Sequence, residues 1–270
     1  MNHNKKPYIF VTGNEKGGAG KTTCSMHLIV GLLDKGYKVS SIDADARQHS
    51  LTSYINNRQR YNEANLDHQV DMPKHFHLSE VLHNAIDEKN KLEQEQFTQT
   101  LVQASNEADY IVIDTPGSHT NFSRVAHSYA DTVITPINDS FIDLDVMAKV
   151  NGDNLNISQP SIYSQMLWEQ KMARAERDNG SIHWVVMRNR LSNLDAINKR
   201  NVADALQKLA KRISFKIAPG FSERVIFREL FPVGLTLLDL TKANFNKNLS
   251  ISHVAARQEL RDFLNILGVK

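Results

Sequence analysis

The sequence predicts an α/β fold, a mostly parallel sheet flanked by helices. Three observations carry that expectation. Short apolar runs rich in Val and Ile recur along the chain, helical stretches separate most of them, and a glycine-rich turn sits between the first run and the first helix. Tyr8-Ile9-Phe10-Val11 reads as a buried strand, and the helix behind it runs from Thr22 to Leu33 and stops at Gly36. Val39 to Ile42, Tyr110 to Ile113, Thr132 to Ile134 and Trp184 to Met187 read as further strands, with a short one at Phe215 to Ile217. Ser79 is placed to cap a helix through Ile86, Glu93 to Ala104 supplies another, and the polar stretch from Asn62 to His77 reads as a loop. Ser161 to Arg177 reads as an amphipathic helix with Met166 and Trp168 packing, and Asn198 to Arg212 as a further helix.

Composition narrows the class. The 270 residues are 41% hydrophobic and 23% charged, which suits a folded chain and excludes disorder as the whole account. Leu28-Ile29-Val30 and Ile111-Val112-Ile113 are far short of the roughly 20 apolar residues that a membrane span needs. Cys24 is the single cysteine, so an in-chain disulfide or cysteine-ligated cluster is excluded, and a cytoplasmic location is expected. One domain, 1–270, with helical insertions near 79–106 and 151–180, is the simplest division. The net charge of +2 is unevenly spread: residues 1–180 carry −6 and residues 181–270 carry +8. A basic C-terminal third suits a polyanionic partner, or balances the acidic remainder.

The most informative stretch is Gly13-Asn14-Glu15-Lys16-Gly17-Gly18-Ala19-Gly20-Lys21-Thr22-Thr23. Between a strand and a helix, its backbone N–H groups converge where the helix dipole favours a phosphate. Gly17, Gly18 and Gly20 allow close backbone approach, with Ala19 between them. Lys21 is the charge for β- and γ-phosphates, and Thr22, ahead of Thr23, offers a hydroxyl for Mg²⁺. Glu15 stands where the strict phosphate-loop pattern has its first glycine, and Lys16 is an additional lysine. Two strand ends add acids. Asp114 ends the third run, before Thr115-Pro116-Gly117, and is a candidate Mg²⁺ ligand. Asp43 and Asp45 are two apart at the end of the second, on one side of the strand. Solvent binding or helix capping is the plain alternative for both.

These residues resemble the deviant-Walker P-loop ATPases of the ParA/MinD superfamily, and more closely its MipZ-type division-plane positioning ATPases. Asn14 to Lys21 and Asp43-Ala44-Asp45-Ala46-Arg47-Gln48 carry the resemblance, with Arg188-Asn189-Arg190-Leu191, Arg228 to Leu240 and Ala255 to Arg261 further along. The resemblance implies a slow ATPase whose subunits form a homodimer with ATP and Mg²⁺. Lys16 would reach the partner's phosphates, Asp45 would orient water, and Asp43 would support the metal. Asn189 would contact adenine, with Pro219 near the base. A ParB-like partition protein, an FtsZ-like division protein, nonspecific DNA and a nucleoid or polar location are implied as well. No Asn-Lys-x-Asp signature follows a strand, which favours ATP over GTP.

Two other classes stay open at this point. A small-molecule ligase or kinase on the same fold would be stimulated by a small acceptor rather than by self-association. A MinD-like membrane switch would use Leu260, Phe263, Leu264 and Leu267, one face of a C-terminal helix; its balanced charges favour core packing over lipid, with no stable membrane insertion. For DNA, Lys199, Arg200, Lys208, Lys211 and Arg212 lie on the Asn198–Arg212 helix. Val202, Leu206 and Leu209 take its apolar side, opposite Arg200, Lys208, Lys211 and Arg212, and Arg224 can extend the patch. A solvated basic face is the alternative there.

Overall fold

Every strand read from the sequence forms, and all of them join one parallel sheet. The computed structural model describes residues 6–138, 141–150, 157–191, 196–241, 243 and 251–269. In chain order the strands are β1 (Tyr8–Thr12), β2 (Val39–Asp43), β3 (Lys74–His77), β4 (Tyr110–Asp114), β5 (Thr132–Asn138), β6 (Ala148–Val150), β7 (Ile157–Pro160), β8 (His183–Leu191) and β9 (Lys216–Ser222). The helices are α1 (Lys21–Asp34), α2 (Ser50–Ala64), α3 (Ile86–Ser105), α4 (Asn121–Tyr129), the single turn α5 (Phe141–Leu144), α6 (Ile162–Asp178), α7 (Ala196–Ile213), α8 (Ile226–Leu230) and α9 (Ile251–Ile266). The seven-stranded sheet has the order β3-β2-β4-β1-β5-β8-β9, while β6 and β7 form a separate antiparallel pair.

Alternate side chains of the central strands enter two apolar layers. Val11, Ile111, Ile113 and Val133 face Phe97, Leu101, Phe122, Leu167 and Leu206, so α3, α4, α6 and α7 cover that side. Phe10, Val112 and Ile134 face the other, against Met26, Leu32, Tyr54, Leu260 and Phe263 from α1, α2 and α9. Burial on both faces is why these strands read as continuous apolar runs. The Leu260–Leu264 face of α9 is thereby used in the core; Leu264 packs so close to Gly31 that a Cβ there would stand 2.7 Å from its Cδ1. Among the described residues, no helix is long and apolar enough to cross a membrane.

Three expectations are corrected. Residues 74–77, read as loop, pair in parallel with β2 as an edge strand; one ladder and the Ser41 Oγ–His75 Nδ1 bond of 2.9 Å hold it without an apolar run. Ser79 caps no helix. Residues 78–85 are irregular and α3 starts only at Ile86, where Asp87 and Glu88 favour its N-terminus. Met166 is buried as expected, but Trp168 is 64% exposed. The segment 151–156 of the second insertion lies outside the described residues.

A buried ion pair ties α2 to the chain after α8. Arg58, fully buried, donates to Asp239 Oδ2 and Oδ1 at 2.7 and 2.8 Å and to the Asp71 and Gly234 carbonyls. Asp239 also accepts from the Thr236 backbone and hydroxyl. With Tyr54 Oη on the Leu235 carbonyl at 2.6 Å, this clamps the start of α2, next to the Asp43–Asp45 turn.

Candidate functional site

Parallel pairing brings three strand ends level. Thr12 and Asp43 are each register partners of Asp114, so the loop leaving β1 emerges beside both acidic ends. That is the carboxyl edge of an open α/β sheet, where ligands bind. The loop runs from Gly13 to Gly20, and Gly20 caps α1 at φ +89°. A Cβ at Gly20 would stand 2.1 Å from Asn189 Nδ2, so both the backbone and its neighbour require glycine. Nothing stands within 4 Å of a Cβ at Gly17 or Gly18, which leaves their backbone open to a ligand.

A cavity of about 600 Å³ follows, lined by Gly17, Gly18, Gly20, Lys21, Thr22 and Thr23 on one side and Asp45, Asp114 and Gly117 on the other. Lys21 Nζ donates to the Lys16 carbonyl at 3.2 Å, across the loop. Burial lowers the Lys21 pKa, and the charges of Asp114 and Asp45 act in the opposite direction. Asp114 accepts from Thr22 Oγ1 at 2.7 Å and from Ser25 Oγ at 2.9 Å. Its carboxyl is pushed up to about 7 by burial first and by the Asp43 charge second. A hydroxyl beside a crowded, desolvated carboxylate is a hard-oxygen donor set that a small divalent cation relieves, so these residues fit Mg²⁺.

Asp43 and Asp45 do different things. Asp43, fully buried, accepts from the Thr52 backbone and hydroxyl on Oδ2, at 2.8 and 2.9 Å, and from Asp45 N–H on Oδ1. Asp45 accepts from Arg47 N–H at 3.2 Å and Gln48 N–H at 3.0 Å on Oδ1, and lines the cavity. Thus Asp43 braces the turn and Asp45 faces the space beyond Lys21.

Lys16 points elsewhere. Its Nζ lies 2.6 Å from Asp143 Oδ1 on α5, and its N–H is held by Asn14 Oδ1 at 2.7 Å. Glu15 meets His119 Nδ1 at 3.0 Å, tying the loop to the turn after Asp114. Asn189, predicted near adenine, donates from Nδ2 to the Ala19 carbonyl at 2.8 Å and so packs under the loop; neither it nor the exposed Pro219 is among the residues lining the cavity. On α7, Arg200, Lys208, Lys211 and Arg212 are exposed, and the Lys199 side chain lies outside the described residues. Arg224 is bound to Glu259 Oε1 at 2.6 Å, which ties it to α9.

Sequence reading missed Asp143, because a one-turn helix leaves no periodic signal. It also missed Arg190 and Phe231 as lining residues; Arg190 had a positional signal, since it lies near the end of β8 at the same sheet edge.

The comparisons with known proteins agree with this geometry. A family model described as ATPase MipZ matches residues 8–270. No curated protein matches at a significant level. Among solved structures, a candidate plasmid partition protein of Borrelia burgdorferi bound to AMPPNP is 20% identical, with a TM-score of 0.60 over 97% of this chain and 98% of that one. The MinC:MinD cell division complex of Aquifex aeolicus gives 18% identity and a TM-score of 0.59 over 97% of this chain and 96% of that one. The septum site-determining protein MinD of Pyrococcus horikoshii, complexed with Mg-ADP, gives 15% and 0.59 over 97% of each. At such identities these structures speak for the fold, and the family model speaks for the activity. With the match running over nearly the whole chain, the chain is an ATPase and belongs to the MipZ ATPase family.

Proposed function

We propose that the chain is a monomer–dimer switch driven by ATP that regulates division-site placement. One observation carries this reading: the phosphate loop holds a second lysine, Lys16, that its own cavity does not need. Lys21 already occupies the phosphate side, while Lys16 rests on Asp143 and is 38% exposed, available to a facing subunit. Exchanging Asp143 for a partner's phosphates would couple dimer formation to nucleotide state, and a second cation there would stabilise charge on the transferred group.

In this reading the backbone from Gly17 to Thr23 and the Lys21 ammonium hold the phosphates, with Asn189 and Pro219 on the adenine side. Thr22 and Asp114 would hold Mg²⁺, and Asp43 keeps the turn in place. When bound, Mg²⁺ would offset phosphate charge. Asp45 orients the attacking water. The whole chain acts as one domain. Lys16→Ala is expected to bind ATP while dimerising and hydrolysing less, with nucleotide titration and sedimentation separating the two effects.

The exposed cations of α7 favour nonspecific DNA as one partner, because two such faces joined in a dimer multiply phosphate contacts. A ParB-like partition protein and an FtsZ-like division protein are the partners proposed from the family, which would place the chain at the nucleoid or pole. Arg200→Ala, Lys211→Ala and Arg212→Ala combined are expected to abolish DNA binding and keep nucleotide-dependent dimerisation. Fluorescence anisotropy on unrelated duplexes, across salt concentrations, reads the first half. Wild-type DNA affinity in a variant that dimerises would move the DNA site off α7.

A further inference from the structure

The root of the phosphate loop sits on a buried polar chain. Gly13, the first residue after β1, is pressed against α4 and α6: a Cβ there would stand 2.3 Å from His127 Nε2 and 3.0 Å from the Tyr163 hydroxyl. Gly13 N–H donates to the Ile134 carbonyl at 2.9 Å, and its own carbonyl accepts from the Tyr163 hydroxyl at 2.9 Å. The Tyr163 oxygen also meets Thr135 Oγ1 at 3.0 Å and His127 Nε2 at 3.1 Å. Behind Thr135, the Trp184 indole N–H donates to Oγ1 at 3.0 Å. All four side chains are buried.

Counting protons gives this chain a direction. Indole is a donor only, so Thr135 accepts from Trp184 and turns its own proton to the Tyr163 oxygen. Tyr163 has one proton, and it goes to the Gly13 carbonyl. His127 Nδ1 faces the Ser123 carbonyl at 2.7 Å and therefore carries the ring proton; burial lowers its pKa to about 4, which keeps the ring neutral. Nε2 is then a second acceptor next to the same hydroxyl. Every donor from Trp184 onward points toward the start of the loop. The start of the same helix also holds the segment that follows α5, whose Asp143 meets Lys16: the Ser161 and Ser164 hydroxyls donate to the Val146 and Met147 carbonyls.

We infer that Tyr163 is a positioning residue for ATP hydrolysis, which holds the root of the phosphate loop through the Gly13 carbonyl, with Thr135 orienting its hydroxyl. The loop can form without that bond, but its register over β5 then rests on the Gly13 N–H bond to the Ile134 carbonyl and on Asn14 Nδ2, which donates to the Pro136 carbonyl at 2.7 Å. Small losses of alignment at a reacting centre cost far more in turnover than in binding.

Tyr163→Phe keeps the ring and removes the one hydroxyl. Turnover is expected to fall about fivefold to tenfold, the scale of one buried hydrogen bond, while ATP affinity changes less than about twofold. Thr135→Val is expected to act in the same direction, and Thr135→Ser, which keeps a hydroxyl, to restore turnover. A second readout does not depend on activity. The chain has two tryptophans, so Trp168→Phe leaves Trp184 as the sole indole; its emission is expected to change on ATP binding and to stop responding once Tyr163→Phe is added. A packing role alone would lower the melting temperature and leave turnover per folded molecule unchanged. Wild-type turnover in Tyr163→Phe and Thr135→Val, or an equal loss in Thr135→Ser, overturns the inference. Should Tyr163→Phe fail to fold, the Thr135 pair decides it.

Discussion

Asp45→Ala is expected to slow ATP hydrolysis about 10²-fold while nucleotide still binds and the dimer accumulates. The expectation follows from the division of labour at the end of β2. Asp43 faces inward and is occupied by Thr52 and by the Asp45 amide; Asp45 lines the cavity beyond Lys21. Its Oδ1 accepts the Arg47 and Gln48 amides, so its backbone is fixed, and among the described residues no hydrogen bond holds Oδ2. A carboxylate so held can turn one oxygen to a water without loosening the phosphate loop. Since alanine also removes the Oδ1 acceptor, Asp45→Asn is the control: the turn survives and the charge goes. Single-turnover hydrolysis separates chemistry from product release, and an unchanged chemical rate in both variants would reject the assignment. Asp43→Ala is expected to be less selective, because the turn it braces carries Asp45.

The second large effect is on stability. Asp239→Ala is expected to cost about 3–5 kcal/mol, because it leaves the fully buried Arg58 guanidinium without its carboxylate. The pair is bidentate, and Asp239 also holds the Thr236 amide and hydroxyl, so several groups lose a partner at once. Chemical denaturation reads the loss. Replacing both members with apolar residues, Arg58→Met with Asp239→Leu, is expected to recover most of it, since no charge is then stranded. A cost below about 1 kcal/mol for Asp239→Ala would mean that water reaches the pair. The consequence for the site is direct: Phe231, on the segment that this clamp anchors through Asn57 and Tyr54, lines the cavity beside the phosphate loop.

What the sequence made legible follows from local signals. Strands buried on both faces leave apolar runs, so β1, β4, β5 and β8 could be read without contacts; β2, with Ser40 and Ser41 inside it, and the edge strand β9 gave weaker signals. The phosphate loop could be read because glycine at close approach, a following lysine and a hydroxyl are demanded by one short stretch of backbone. Where partners are distant, the signal fails. The edge strand Lys74–His77 is held by one ladder and by His75 on Ser41, so its four residues look like loop. Asp143 meets Lys16 from more than a hundred positions away, and nothing near Asp143 announces it. Arg224 reads as a surface cation until α9 folds back and brings Glu259 to it. Trp168 follows the spacing of a packing residue, yet the face it occupies on α6 has no element over it among the described residues.

Whether nucleotide sets the oligomeric state is decided by sedimentation velocity of the wild-type chain with Mg-ADP and with a non-hydrolysable ATP analogue. The 30.6 kDa monomer is expected with ADP and about twice that mass with the analogue, with the shift much reduced in Lys16→Ala. The same mass in both nucleotides, at concentrations where both are bound, would contradict the switch.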